Sequence, residues 1–325
     1  MSRPSGSGEF LADRRYAYAE GCLAEGDALG AAEMAEQTLE IAPRYAPAWF
    51  LLGRAREAHY VTHGDLRDHH AALRAYAAAL DLDPDDTQGA RLALAQIGAG
   101  GGDVLGAISP AYIRALFDAY ASRFERHLVD DLAYRAPELM VAALDALPDA
   151  PAAYESVLDL GCGTGLMGAA LGDRARHLTG IDLSPLMLAQ AARGKRYARL
   201  VEGDLVAGLA AAEEAGTDLV TAADVMIYVG ALTGLLAGAA RVLRPNGRLA
   251  FSVQSHAGDG LILGADARYA HGDALVRDAV TQAGLILDCL DPAAIRRERG
   301  LPVSGRIVVA RRPGSRESQQ IIPLR

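Results

Sequence analysis

The chain has 325 residues, is 51% hydrophobic and carries a formal net charge of −9. That length and apolar content suffice for a full core and predict two domains. The negative balance argues against a nucleic-acid partner, whose backbone is gripped by clustered Lys and Arg. No apolar run reaches the length that spans a bilayer, and the N-terminus carries no apolar signal core, so no membrane association is expected. Cys22, Cys162 and Cys289 lie far apart and show neither disulfide nor metal spacing, which suits a reduced, cytoplasmic setting. Lys195 is the only lysine amid many Ala and Arg, a bias typical of a GC-rich bacterial genome. Charge is uneven: residues 1–103 hold 9 basic and 16 acidic side chains, whereas residues 296–325 hold eight arginines and two glutamates.

Residues 1–98 follow helical periodicity. Asp27, Ala31, Ala35, Leu39 and Pro43 form one pattern; Trp49, Leu52 and Gly53 open a second, which Ala72, Tyr76, Ala79 and Pro84 complete. Small residues at such positions let helices approach closely, and proline stops one before the next begins. The pattern resembles tetratricopeptide repeats. Trp49 to Pro84 is about seven residues longer than the usual spacing of that repeat, so an insertion within 60–70 is expected to lengthen the loop between the paired helices. A partial third helix is expected over Thr87 to Ile97. His59, His63, His69 and His70 fall near the insertion, but no cysteine stands nearby and Asp65 and Asp68 suit a polar loop, so no metal is expected. The resemblance implies a surface that takes a peptide or protein partner, or else a structural or dimerising module. Residues 99–103 are expected to be a glycine-rich linker, and 313–325 a polar, frayed tail.

Tyr112 to Leu147 predicts three helical stretches, with Phe117, Tyr120 and Phe124 recurring at the spacing of a core stripe. Val157 to Gly168 then reads VLDLGCGTGLMG, a strand running into glycines at alternate positions and a helix start. Gly161, Gly163 and Gly165 allow backbone to approach a ligand closely. Gly163, Gly165 and Gly168 also satisfy the GxGxxG spacing of dinucleotide folds. Asp159, inside the strand, would repel a pyrophosphate but could organise the amino-acid part of S-adenosylmethionine, directly or through water. A second strand, Leu178 to Asp182, ends in a carboxylate able to accept both ribose hydroxyls. A third, Ala198 to Glu202, leads to Asp204 and Leu205, where Asp204 could accept from an adenine amine.

This glycine motif with its acidic strand ends resembles the class I S-adenosylmethionine-dependent methyltransferases. The resemblance implies that Leu183 and Met187 flank the adenine. It also implies that an N-terminal lid aromatic, for which Tyr120 is chosen, covers the methionine end, and that the strand Asp218 to Ala222 closes the pocket, making Asp224 and Tyr228 the first candidates for acceptor contacts. A helix over Leu235 to Leu243, a turn at Pro245, Asn246 and Gly247, and a strand over Arg248 to Val253 follow. A hairpin of Leu285 to Leu290 with Arg306 to Ala310 would supply the one antiparallel strand. His271 is a candidate base, beside Gln254, His256, Arg268 and Tyr269. Arg296, Arg297, Glu298 and Arg299 are expected in a hairpin loop. The expected fold class is α/β, a Rossmann-like seven-stranded methyltransferase sheet over 104–312 with an all-α, tetratricopeptide-like domain before it. The implied cofactor is S-adenosylmethionine and the implied acceptor a small molecule or a protein. An NAD(P)-dependent oxidoreductase would use the same turn and Asp182 but leaves Asp159 and Asp204 without roles. A non-catalytic scaffold with a vestigial pocket is the remaining alternative.

Overall fold

The computed structural model describes residues 6–98, 104–122, 124 and 132–314. The chain divides into two compact units, Met1–Ala115 and Leu116–Arg325. The expected linker 99–103 and the tail residues 315–325 lie outside the described residues.

In the first unit α1 (Phe10–Ala24), α2 (Ala28–Ile41), α3 (Ala46–His63), α4 (Leu66–Leu82) and α5 (Ala90–Ile97) follow one another, each packed on the next. Ala12, Ala19, Ala31, Ala35, Ala48 and Ala55 are fully buried between them. Gly53 is required to be small, because a Cβ there would lie 2.6 Å from the Tyr76 ring. The expected long loop at 60–70 does not form. The extra residues lengthen α3 and α4 to 18 and 17 residues and leave only Gly64 and Asp65 between them. Gly64 ends α3 at φ +74, and Asp65 caps α4 by accepting the Arg67 N–H at 2.9 Å, so two residues complete the reversal. The third helix starts at Ala90, not Thr87, because Gly89 is left-handed and Asp86 accepts the Ala90 N–H at 2.5 Å.

The division between units falls after residue 115, later than the expected 103. Ser109 donates its hydroxyl to the Asp86 carbonyl at 2.9 Å, and the Tyr112 ring lies 2.8 Å from where a Gly89 Cβ would stand. These contacts fasten the start of α6 (Pro110–Tyr120) to the first unit.

The second unit continues with α7 (Ala136–Asp145), β1 (Tyr154–Leu160), α8 (Leu166–Leu171), β2 (Ala175–Asp182), α9 (Pro185–Ala191), β3 (Arg199–Glu202), α10 (Leu205–Ala211) and β4 (Thr217–Ala222). Then come α11 (Leu232–Val242), β5 (Leu243–Ser255), β6 (Leu261–Leu263), β7 (Tyr269–His271), α12 (Asp273–Gln282), β8 (Ile286–Glu298) and β9 (Leu301–Arg311). Strands β3, β2, β1, β4 and β5 run parallel in that order, β9 pairs antiparallel with β5, and β8 antiparallel with β9. The sheet is α/β and Rossmann-like, as expected. It has nine strands among the described residues rather than seven, because β6 and β7 form a hairpin whose β7 pairs with Gln254 and Ser255 at the end of β5.

Alternation at period two sends side chains to two cores. Leu158, Leu160, Val220, Phe251 and Val308 pack under α10, α11 and α12, whereas Val157, Leu219, Ala250 and Val309 pack under α7 and α8. The strand order reverses between β1 and β4. Ligands of open α/β sheets bind at the carboxyl ends beside such a switch point, and there the glycine turn lies. Among the described residues no helix is long and apolar enough to cross a membrane.

Candidate functional site

Gly161, Gly163 and Gly165 leave β1 with φ of +63, +53 and +98, a region that side-chain-bearing residues adopt only with strain. Each is also hemmed in differently. A Cβ on Gly161 would lie 2.6 Å from Val225, one on Gly165 3.1 Å from Tyr197, while among the described residues one on Gly163 meets only Phe124, at 3.9 Å. Gly163 is therefore the position at which the turn faces open space.

Tyr197, which sequence reasoning missed, fills the space behind the turn. Its ring would be struck by a Cβ on Gly168 or Gly180, and its hydroxyl donates to Asp159 Oδ2 at 2.7 Å. Thr221 Oγ1 donates to Asp159 Oδ1, also at 2.7 Å. Asp159 is buried, and burial pushes its carboxyl up to about 6 against these two hydrogen bonds. Both its oxygens thus serve to brace the turn.

Asp182 ends β2 with Oδ2 accepting the Gly163 N–H at 2.8 Å and Oδ1 accepting the Ser184 N–H at 2.9 Å. Burial raises its pKa and those amides oppose the rise. Each carboxylate oxygen accepts two hydrogen bonds, so the bidentate capacity needed for a ribose remains. Ser184 donates to Asp118 Oδ1 at 2.6 Å and accepts the Met187 N–H at 3.1 Å. Met187 is fully buried and Leu183 half-buried. Asp204 is exposed and caps α10, its Oδ1 accepting the Val206 and Ala207 N–H groups, with half-buried Leu205 next to it.

The aromatics of the expected lid form a connected cluster with Tyr228. Phe124 meets Phe117 and Tyr120 edge-on at 5.9 and 5.5 Å, and Phe117 meets Tyr228 at 5.5 Å. The ring against Gly163 is that of Phe124, with Tyr120 one ring farther away. Residues 123 and 125–131 of the expected lid lie outside the described residues.

Beyond β4, Asp224 stands at φ +58 with its N–H donated to Ser252 Oγ at 2.8 Å. Its carboxylate is paired with Arg296, 3.0 Å away. Arg296 was expected in a solvated loop; instead β8 and β9 extend past it and bury it completely. Its Nε donates to Glu298 at 3.0 Å and its Nη2 to Gln254 Oε1 at 2.7 Å. Arg268 joins Glu298 and the Tyr228 hydroxyl to the same network. Burial raises the Asp224 and Tyr228 pKa values, and the two arginines oppose the rise. Such a network persists because each buried charge has a partner. His271 is fully buried on β7, its Nε2–H donated to the Val229 carbonyl at 3.0 Å. Burial drives its pKa down to about 4, leaving a neutral ring whose Nδ1 has no partner among the described residues. In that state it lacks the solvent access and near-neutral pKa of an ordinary histidine base.

In the first unit His59 Nδ1 pairs with Asp68 at 2.6 Å, and His69 Nε2 donates to the Ile97 carbonyl at 2.9 Å. Among the described residues no group of three metal-ligating side chains gathers.

Residues 158–251 match the family model of the methyltransferase domain. A biotin biosynthesis bifunctional protein of Bordetella avium is 37% identical over 42% of this chain and 29% of its own length. Demethylmenaquinone methyltransferase of Tropheryma whipplei is 32% identical over 45% of this chain and 60% of its own. The chain thus spans less than two thirds of the length of these curated relatives. Among solved structures, magnesium protoporphyrin IX methyltransferase of Synechocystis PCC 6803 aligns with a TM-score of 0.49 at 18% identity, over 62% of this chain and 99% of that one.

Proposed function

We propose that the chain is an S-adenosylmethionine-dependent methyltransferase. The observation that carries the reading is the left-handed glycine turn braced by Asp159 and joined to Asp182 through the Gly163 N–H, inside the segment that matches the methyltransferase domain. The chemistry behind the turn fits the cofactor. Asp159, Asp182 and Asp118 place carboxylates around it, a charge that favours a sulfonium and an ammonium group and disfavours the pyrophosphate of a dinucleotide.

In this reading the backbone of Gly161, Gly163 and Gly165 cradles the ligand and Asp182 accepts the ribose hydroxyls. Asp204 and Leu205 lie toward the adenine with Leu183 and Met187, and Phe124, backed by Tyr120, covers the methionine end. The cofactor supplies a methyl group already activated by positive sulfur. The chain's own residues then orient an acceptor nucleophile and exclude water. Asp224 and Tyr228, held by Arg296 and Arg268, form the acceptor wall. The demethylmenaquinone methyltransferase among the relatives supports a small-molecule acceptor. The helices of the first unit, in a tetratricopeptide-like arrangement, would recruit a protein partner or stabilise the chain.

Titration calorimetry with S-adenosylmethionine and with NAD tests the cofactor. Incorporation of labelled methyl into a cell extract tests the activity and separates protein from small-molecule acceptors. Binding of NAD without S-adenosylmethionine would overturn the reading.

A further inference from the structure

The outer face of α1 lies opposite its buried residues Ala12, Tyr16 and Ala19. Phe10 and Tyr18 on that face are 78% and 65% exposed, and the Arg14 guanidinium lies 5.9 Å from the Phe10 ring centre. Phe10, Arg14 and Tyr18 recur at four-residue spacing and so share one exposed stripe of the helix. On the same stripe stands Gly21, inside the helix, where glycine is less favourable than alanine. Among the described residues nothing lies within 4 Å of the place its Cβ would occupy, so no packing among them requires Gly21 to be small. Glu25 closes the stripe at the C-cap.

We infer that this face of α1 pairs with the same face of a second copy of the chain, antiparallel about a two-fold axis midway between Ala19 and Glu20. The pattern is self-complementary in that register. Arg14 and Glu25 are equidistant from the midpoint, as are Tyr18 and Gly21. Arg14 of one copy meets Glu25 of the other, and the Tyr18 ring lies over Gly21, where the missing side chain leaves room. An isologous interface repeats each contact twice. Opposite charges at the ends select the antiparallel direction, because a parallel pairing would set like charges together.

Sedimentation velocity on the full chain over a hundredfold concentration range should show a monomer–dimer equilibrium. Arg14→Glu and Glu25→Arg should each weaken it at least tenfold, since each change acts at two places. The double variant Arg14→Glu/Glu25→Arg should recover dimer affinity to within about threefold of the parent. Gly21→Leu should also weaken dimerisation at least tenfold without lowering the melting temperature of the monomer, because leucine favours the helix and the space is open. A chain that stays monomeric throughout, as a face covered by another protein would leave it, overturns the inference. So does a dimer indifferent to both charge reversals, or a double variant as weak as the singles. None of these results depends on methyl transfer.

Discussion

At the ends of β1 and β2 the site is shaped by backbone: three left-handed glycines, with Asp182 accepting amide hydrogens of the turn itself. At the ends of β4, β5 and β8 it is shaped by charge, with Arg296 joining Asp224, Gln254 and Glu298. Backbone geometry presents hydrogen-bonding groups without needing a particular side chain. A closed ion network is specific to its own members. It leaves neither arginine as an open site for a carboxylate or phosphate, because Arg296 and Arg268 are each engaged by partners within the network.

The sharpest way to break this contrast is at the turn. Gly163→Val forces a β-branched residue to φ +53 and fills the space before Phe124. We expect S-adenosylmethionine binding to be abolished while the fold survives, because among the described residues the nearest non-adjacent atom to the new Cβ is 3.9 Å away. Calorimetry together with a melting curve checks both halves. On the charged side the order inverts. Arg296→Met should cost about 3 to 5 kcal/mol of stability, because the half-buried Asp224 loses its paired guanidinium. Adding Asp224→Asn should restore much of that loss. Urea unfolding of the single and double variants measures the difference, and equal losses in the two would show that the ion pair is not the cause.

The same contrast explains what the sequence disclosed. Glycines at alternate positions and carboxylates at strand ends are local patterns, so Gly161, Gly163, Gly165, Asp159 and Asp182 could be picked out within thirty residues of chain. Arg296 pairs with Asp224 across 72 residues, and Tyr197 reaches Asp159 across 38. Neither partner carries a local signature of the other. An RRERG run reads as a solvated loop until a buried carboxylate opposes it. The missing loop at 60–70 has a similar origin. Length alone cannot tell an inserted loop from two longer helices, and the decision rests on how compactly Gly64 and Asp65 can turn the chain.

Asp159 sharpens the account through pH. Burial holds its folded pKa at about 6, above the ordinary 3.8, so the folded state binds this proton more tightly than the unfolded chain does. Its contribution favours folding at low pH and is lost as pH rises through about 6; the ionised group then costs about 3 kcal/mol, at 1.36 kcal/mol per pKa unit. Asp159→Asn removes that dependence. The stability of the variant relative to the parent should therefore rise between pH 4 and pH 7 by roughly 2 to 3 kcal/mol. Denaturant unfolding at several pH values measures it, and parallel curves would place the titration of Asp159 back in the ordinary range.

Asp182→Ala is the mildest of these changes and the most informative about the ligand. On the proposed reading it removes acceptors for two ribose hydroxyls, and hydrogen bonds to a charged group are worth about 1.5 to 3 kcal/mol each before compensation. It also releases the Gly163 amide and the buried Ser184 amide, and the second loses its acceptor away from solvent, which lowers stability. We expect S-adenosylmethionine affinity to fall at least tenfold, with the fold intact and the melting temperature lowered. Comparing S-adenosylmethionine with a 2′,3′-dideoxy analogue separates the two contributions. If Asp182 binds the ribose, the parent should lose affinity for the analogue and the variant should scarcely distinguish the two ligands. If Asp182 acts only by holding Gly163, the variant should weaken both ligands equally and the parent's preference between them should persist.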